Sequence, residues 1–237
     1  MHYEKITTEI LEKLKAIVGP KNVVTDADAM QPYSHDEVTD PAYHHMPEAV
    51  VFAETAQQVS AIIKLANACH FPVVPRGAGT GLACGAVPEY GGLVLSLEKM
   101  NKILEINENG LYAVVEPGVR TSDLQEAAEK KGLFYAGDPC SGDSCFIGGN
   151  IATNAGGNRA VKYGTTRHQV YSVEVVNTTG RIVNRLGRDP GHHHQGHAET
   201  PAQAEIRLGS AGHLRRPPPG HGRRHQDHQS RHHADVR

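Results

Sequence analysis

Apolar residues recur along residues 1–184 at two spacings, one typical of helices and one typical of strands. Helical spacing predicts helices over residues 6–17, after Thr55 as an N-cap, and over residues 121–131 before Gly132. Short apolar runs between turn residues predict strands over residues 49–53, 71–74, 92–97, 102–106, 111–116, 172–177 and 181–183. Many short strands with few helices predict an α+β fold.

Two glycine-rich segments interrupt this pattern. The first is Pro-Arg-Gly-Ala-Gly-Thr-Gly-Leu at residues 75–82, directly after a predicted strand, and the second is Ile-Gly-Gly-Asn-Ile-Ala-Thr-Asn-Ala-Gly-Gly at residues 147–157. Glycines let backbone N–H groups approach a pyrophosphate closely, and Arg76 supplies a cation nearby. The first loop is thus suited to bind a pyrophosphate, and together the two loops look like the two walls of an FAD site.

A Rossmann dinucleotide site is the alternative for a glycine-rich loop after a strand. That fingerprint requires G-x-G-x-x-G/A at the start of a helix. Counted from Gly77, the sixth position is Leu82, and Gly85 and Pro88 follow too closely for a regular helix. The sequence therefore argues against the Rossmann fold.

Several separated motifs resemble the FAD-binding domain of the flavin-linked oxidoreductases related to vanillyl-alcohol oxidase and p-cresol methylhydroxylase. Within that family they are most similar to the FAD subunit of glycolate oxidase and the D-lactate dehydrogenases. The resemblance covers residues 20–184, and its motifs lie at residues 47–51, 72–82, 115–118, 138–139, 147–151, 154–157 and 163–164. It implies a truncated, two-subdomain FAD-binding fold of the p-cresol methylhydroxylase type.

The resemblance also implies a set of cofactor contacts. Residues 76–81 would hold the FAD pyrophosphate, and residues 138–157 would pack along the ribityl chain and isoalloxazine. Residues 163–164 would line the flavin end and residues 182–183 the adenine end. The implied FAD-binding residues are Pro75, Arg76, Gly77, Ala78, Gly79, Thr80, Gly81, Leu82, Asp138, Pro139, Ser144, Gly148, Gly149, Asn150, Ala152, Asn154, Ala155, Gly156, Tyr163, Gly164 and Val183.

Ordinary structural roles remain alternatives for several of these residues. Arg76 could be a surface charge, and the glycines could only make turns. Asn150 and Asn154 could close Asx turns. Cys145, with Cys140, falls where the flavin is expected, although a thiol that packs as a small hydrophobe is the alternative.

The chemistry that the resemblance implies is oxidation of a small 2-hydroxy acid, glycolate or D-lactate, with hydride passing to flavin N5 and a proton to a base. In the family, the base and the arginine that binds the carboxylate come largely from a substrate-covering domain C-terminal to the FAD domain. The catalytic residues are therefore expected outside the segment that carries the resemblance. The particular acid and the electron acceptor stay open, and an iron–sulfur or further FAD subunit is a possible partner.

Composition excludes several other classes of protein. A net charge of −2 at pH 7 gives no signal for nucleic-acid binding. No apolar stretch is long enough to predict a transmembrane segment, and the charged N-terminus lacks a signal-peptide core, so we expect a cytoplasmic protein. The four cysteines show no C-x-x-C spacing, which favours reduced thiols over disulfides or a bound metal.

An abrupt change of composition near Asn184 divides the chain. We expect an N-terminal helix and lead-in over residues 1–45, the FAD-binding domain over residues 46–184, and a disordered tail over residues 185–237. The tail holds 10 of the 16 histidines and lacks lysine, tyrosine and phenylalanine. A metal-binding or basic disordered tail is one interpretation of this composition.

A frameshifted translation is the interpretation that we favour for the tail. Reading the codons of residues 191–197 one base later admits G-I-I-T-K-A-T, which is similar to the family's next segment, whereas the histidines arise from the shift itself. We also expect some twenty residues of the family's sequence to be missing near Asn184, and therefore little turnover by this chain. Two other functional classes remain open, a non-catalytic FAD or nucleotide-binding module and a metal-binding protein built around the tail.

Overall fold

The computed structural model describes residues 3–186, 200–207 and 209–210 of the chain. Its α-helices are α1 (Thr8–Val18), α2 (Ala27–Met30), α3 (Ala56–Cys69), α4 (Thr121–Glu129), α5 (Ile147–Thr153) and α6 (Ala160–Tyr163). Its strands are β1 (Val23–Val24), β2 (Ala49–Phe52), β3 (Val73–Arg76), β4 (Leu93–Ser96), β5 (Ile103–Asn107), β6 (Tyr112–Val115), β7 (Leu133–Phe134), β8 (Val170–Val176), β9 (Ile182–Leu186), β10 (Thr200–Arg207) and β11 (Gly209–Ser210). Short 3₁₀ turns lie at Pro20–Asn22, Gln31–Tyr33, Pro41–Tyr43 and Thr166–Gln169.

The larger strands form two sheets. The first has the order β1-β2-β4-β3, in which β2, β4 and β3 run parallel and β1 pairs antiparallel with β2. The second has the order β5-β6-β10-β8-β9 and is antiparallel throughout. A separate pair joins β11 to β7. Two sheets of different topology match the two-subdomain α+β fold expected from the sequence.

Both faces of the first sheet are covered, as a parallel sheet requires. Leu14 of α1 and Ile62 of α3 pack with Val51 and Leu95 on one face. Met30 and Phe52 pack with Val50 and Val94 on the other face. Alternate residues of β2 therefore serve opposite faces, which explains why its sequence is apolar without interruption.

The second sheet buries one face against α4. Its core includes Ala113, Val115 and Val170 from the strands and Leu124 and Ala128 from the helix.

The turn between β8 and β9 links the two sheets. The Ser60 Oγ donates a hydrogen bond to the Gly180 carbonyl oxygen at 2.6 Å, and the Asn67 Nδ2 donates to the Thr178 carbonyl oxygen at 2.7 Å. Val176 at the end of β8 also belongs to the core of the first sheet. These contacts hold α3 against the second sheet.

Most predicted elements are confirmed with small shifts of their ends. Helix α3 begins after Thr55, whose side chain accepts a hydrogen bond from the Gln58 amide at 3.2 Å, as its N-cap role predicts. Strand β3 lies later than expected and includes Arg76, so the first glycine-rich loop begins only at Gly77. No helix follows that loop before β4, which agrees with the argument against a Rossmann fold.

The second glycine segment is not simply a loop, and this part of the prediction was wrong. Its first half is helix α5, which Asn154 ends in the left-handed conformation at φ 51°. Its glycines favour a loop prediction because glycine has a low helix propensity. Gly148 is required by packing, since a Cβ at this position would approach the Pro117 Cβ to 2.6 Å.

Part of the expected C-terminal tail lies in regular structure. Strand β10 occupies the centre of the second sheet, between β6 and β8, and β11 pairs with β7. Pro201 falls within β10, and the pairing with β8 shifts register between Pro201 and Gln203. This differs from the expectation of disorder at residues 200–207. The His192–His194 cluster lies outside the described residues, and the frameshift remains a prediction.

Candidate cofactor site

The loop of residues 77–83, called the 77–83 loop below, follows β3 directly. Within the described ranges, none of its N–H groups donates a hydrogen bond to a protein acceptor. Residues 77–80 are half-buried and residues 81–83 exposed, so these amides are open to a ligand that accepts hydrogen bonds or to solvent. Consecutive free amides in a glycine-rich turn are typical of sites that bind phosphate.

Arg76 lies directly beside this loop. Its side chain is only 7% exposed. The guanidinium donates hydrogen bonds to the carbonyl oxygens of Pro32 at 3.0 Å, His35 at 2.7 Å and Ala86 at 3.4 Å. A Cβ on Gly79, where φ is +74°, would collide with the guanidinium. Arg76 is therefore no surface charge, and its positive charge lies against the loop while backbone carbonyls occupy several of its donors.

Burial lowers the pKa of the Arg76 guanidinium, whereas nearby Tyr33, Asp36 and Glu98 act in the opposite direction. An arginine starts from so high a pKa that it keeps its charge at neutral pH. The centre of the Tyr33 ring lies 5.5 Å from the Arg76 Cζ, within the range of a cation–π contact.

The two glycine-rich segments meet in the structure. A Cβ built on Gly77 would lie 3.7 Å from the Gly149 amide nitrogen and 3.8 Å from the Phe146 ring. A Cβ on Gly149 would meet nothing within 4 Å, so space is open beside it. The two glycine-rich segments are therefore adjacent in space, although they are about seventy residues apart in the sequence and belong to different elements.

The two predicted asparagines differ in their surroundings. Asn150 is buried, and its Nδ2 donates to the Thr121 Oγ1 at 2.7 Å. Thr121 also lies 3.2 Å from the Cys145 Sγ, which makes Cys145 part of a buried polar group. The exposed Asn154 accepts hydrogen bonds at its Oδ1 from the Thr165 Oγ1 at 2.8 Å and the Arg167 amide at 3.1 Å. Asn150 thus ties α5 to Thr121 of α4, whereas Asn154 holds the segment of Thr165 and Arg167.

The segment before α5 is fixed by contacts with the chain that follows it. Asp138 lies 3.4 Å from the Arg159 Nε, and the Asp138 carbonyl leaves no room for a Cβ on Gly157. The exposed Ser144 donates from its Oγ to the Ser141 carbonyl at 3.2 Å, and the Pro139 carbonyl accepts from the Gly142 amide. A tight turn therefore places Asp138, Pro139 and Ser144 ahead of the second glycine segment.

Arg159 links Asp138 to Tyr163. Its guanidinium lies 5.1 Å from the Phe134 ring centre, and the Phe134 and Tyr163 rings are 5.7 Å apart. Gly164, with φ at +81°, has no room for a Cβ beside the His168 ring. Contacts through Arg159 and Phe134 thus bring Asp138 and Tyr163 close together.

The other predicted residues take simpler places. The Ala155 carbonyl accepts from the Thr166 Oγ1 at 2.8 Å, and a Cβ on Gly156 would lie 3.6 Å from the Thr165 side chain. Ala152 is exposed on α5. Val183 lies in the edge strand β9 and pairs with Val175 of β8. Ala78, Thr80, Gly81 and Leu82 all lie in the 77–83 loop, whereas Pro75 is the last residue before Arg76 in β3.

Asp36 is a residue of this region that the sequence did not identify. It is 7% exposed, and its Oδ2 accepts a hydrogen bond from the Cys84 amide at 2.7 Å. The Glu37 amide donates to the Gly81 carbonyl at 3.0 Å. No local sequence signal indicates these contacts, because the partners lie more than forty positions apart along the chain.

These residues fit FAD. The 77–83 loop offers unused amide donors and a buried cation for a pyrophosphate, and the open space beside Gly149 adjoins it. Among the described residues, no group of three or more His, Cys, Asp or Glu side chains is placed to hold a metal ion.

Comparison with known proteins identifies the class. The family described as FAD binding domain matches residues 47–185, and the chain belongs to this family. It is 43% identical over 183 residues to the glycolate oxidase subunit GlcD of Bacillus subtilis. That alignment covers 77% of this chain and 38% of the relative. The chain is 45% identical over 187 residues to a D-lactate dehydrogenase of Anaerostipes hadrus, covering 78% of this chain and 38% of that protein.

A solved structure of p-cresol methylhydroxylase with substrate bound matches the fold, with a TM-score of 0.68 and 21% identity over 84% of this chain and 42% of that chain. The predicted family, fold type and FAD cofactor are confirmed, and the chain is a member of a family of FAD-linked oxidoreductases. It spans about two fifths of the length of these relatives. In the described part of the chain, no helix is long and apolar enough to cross a membrane.

Proposed function

We propose that this chain supplies the FAD-binding part of an enzyme that oxidises a small 2-hydroxy acid, glycolate or D-lactate. The observation that carries the proposal is the junction of the two glycine segments, where Gly77 at the start of the 77–83 loop lies beside Gly149. The names of the two relatives support the substrate class.

The chain's own share of this function is to bind and orient the cofactor. Bound FAD supplies an acceptor for the hydride that leaves the α-carbon of the substrate. The amides of the 77–83 loop donate to the pyrophosphate, and the Arg76 charge attracts it from behind Gly79. Helix α5 and Tyr163 belong to the wall that faces the rest of the cofactor. The predicted contacts from Pro75 to Val183 are retained as part of this proposal.

The groups that bind the substrate belong, in this proposal, to the part of the relatives' length that the chain does not span. An arginine there binds the carboxylate, and a base accepts the hydroxyl proton. A second subunit that carries electrons onward, with an iron–sulfur centre or a further flavin, is proposed as a partner. We therefore expect the 237-residue chain to bind FAD but to turn over hydroxy acids poorly.

The cofactor site is tested by titrating FAD into the purified chain and recording the absorbance of bound flavin. Gly79→Val is expected to weaken FAD binding by about tenfold to hundredfold, since its φ is +74° and a Cβ collides with Arg76. Gly85→Val is the matched control, because a Cβ there meets nothing within 4 Å. Equal affinities for the two variants would contradict the assignment of the loop.

The substrate class is tested with a chimera in which residues 1–184 replace the matching part of the Bacillus subtilis relative. We expect the chimera to oxidise glycolate with an artificial electron acceptor, because this chain would hold FAD in the required orientation. A chimera that binds FAD but oxidises neither glycolate nor D-lactate would contradict the proposed reaction and leave the FAD site intact.

A further inference from the structure

A segment before the first sheet closes around the 77–83 loop. Residues 32–38, called the clasp below, contact both sides of the loop. At the start, Arg76 donates to the carbonyl oxygens of Pro32 and His35. At the end, the clasp binds the Gly81 carbonyl and the Cys84 amide. The clasp lies outside residues 47–185, which match the FAD-binding family.

Asp36 makes the side-chain contacts at the end of the loop. Its Oδ2 accepts from the Cys84 amide at 2.7 Å, and its Oδ1 accepts from the Val38 amide at 3.0 Å. A Cβ on Gly81 would lie 3.9 Å from the Asp36 Oδ2, so the carboxylate packs directly against the loop. Hydrogen bonds to a charged acceptor are among the stronger ones in proteins.

The position of this carboxylate needs an explanation, because a negative charge repels a phosphate. Charge alone would disfavour an aspartate beside a loop that binds pyrophosphate. The hydrogen bond from the Cys84 amide offsets this cost by fixing the turn at Cys84, which has a left-handed φ of 54°. The hydrogen bond from the Val38 amide holds the carboxylate itself in place. A non-glycine residue in that conformation needs support from its surroundings.

We propose that Asp36 is a positioning residue for the cofactor, which keeps the 77–83 loop in the shape that leaves its amides free for the pyrophosphate. The inference rests on the proposed FAD site. Asp36 touches the loop and acts on FAD only through it. The clasp is thus a functional part of the cofactor site although it precedes the domain that the family comparison defines.

The test compares FAD affinities of the full chain and three variants. Asp36→Ala removes both acceptors and is expected to weaken FAD binding at least about tenfold. Asp36→Asn keeps one acceptor oxygen and is expected to fall between wild type and Asp36→Ala. Asp40→Ala is the matched control, because Asp40 likewise accepts from the amide two residues later, Ala42, but lies outside the clasp.

The Asn variant separates geometry from charge. Loss of the carboxylate charge would favour phosphate binding, so weaker binding by Asp36→Asn supports positioning by hydrogen bonds. The absorbance spectrum of flavin bound at saturation is expected to match wild type in every variant, since the second glycine segment is untouched. A general structural defect would change that spectrum.

Four outcomes would overturn the inference. The inference is overturned if Asp36→Ala binds FAD with an affinity within about twofold of wild type. It is also overturned if the flavin spectrum changes and Asp36→Ala and Asp40→Ala lose FAD affinity equally. If Asp36→Ala does not fold, Asp36→Asn decides, and wild-type affinity in that variant overturns the inference. A wild-type chain that binds no FAD overturns the proposed cofactor site, and this inference with it.

Discussion

At the scale of single residues, Arg76 makes contacts that the sequence did not indicate. The sequence predicts a cation beside the first glycine-rich loop, and the Arg76 guanidinium lies against Gly79 of that loop. Its partners Pro32, His35 and Ala86 could not be predicted, because carbonyl acceptors leave no mark in a sequence. The residue therefore holds the clasp as well as supplying charge.

Cys84 gives a prediction at the same scale. Partial burial raises the pKa of its thiol, and the Asp36 carboxylate raises this pKa further. A raised pKa keeps the thiol protonated to higher pH, so less of the reactive thiolate forms near pH 8. We expect iodoacetamide to alkylate Cys84 more slowly than the exposed Cys140 in the native chain, as measured by mass spectrometry of the two peptides.

The same thiol contributes to stability in a defined pH window. The unfolded chain loses this proton first, so the contribution is complete below the unfolded pKa and declines as pH rises toward the folded pKa.

Unfolding in urea should abolish the difference in alkylation between Cys84 and Cys140. Equal rates in the native chain at pH 8 would contradict the raised pKa.

At the scale of elements, α5 connects the second glycine segment to the core of the second sheet. Asn150 is the anchor, since its side chain bonds Thr121 at the start of α4. Asn150→Ala leaves this buried group with one partner fewer, and we expect the free energy of unfolding to fall by about 1–3 kcal/mol. Urea denaturation without FAD measures the change.

Thr153→Ala is the control for that prediction. Thr153 lies on the same helix, is exposed, and donates from its Oγ1 to the Gly149 carbonyl at 3.0 Å. A surface change of this kind should alter stability by less than about 0.5 kcal/mol. If both variants lose the same stability, Asn150 is not a special anchor of α5.

Elements with a clear apolar period were predictable, and those set by packing were not. Helices α1 and α3 follow the spacing of residues such as Leu14 and Ile62. Helix α5 was not predicted because its glycines indicate a loop. The need for glycine at position 148 comes from its close approach to Pro117, which is distant in sequence. The site follows the same division, since the sequence indicates its glycines but not the contact between Gly77 and Gly149.

At the scale of the whole molecule, the second sheet depends on a strand from the expected tail. Strand β10 pairs with β6 on one side and β8 on the other. A chain that ends at residue 186 lacks this strand and exposes both neighbouring edges. Unpaired edges promote association between chains.

We therefore expect the shortened chain to be less stable and to form oligomers. Size-exclusion chromatography and urea denaturation of both chains measure these effects. A shortened chain that stays monomeric with unchanged stability would show that β10 contributes nothing to the fold. That result would agree with a tail translated in a shifted frame.

The central position of β10 also sets the order in which the second sheet can assemble. Strands β5 and β6 form one local hairpin and β8 and β9 another, and each can form soon after synthesis. The strand that joins them emerges last. During that delay the inner edges of both hairpins remain open, so the nascent chain passes through a stage in which a neighbouring polypeptide can occupy the place of β10.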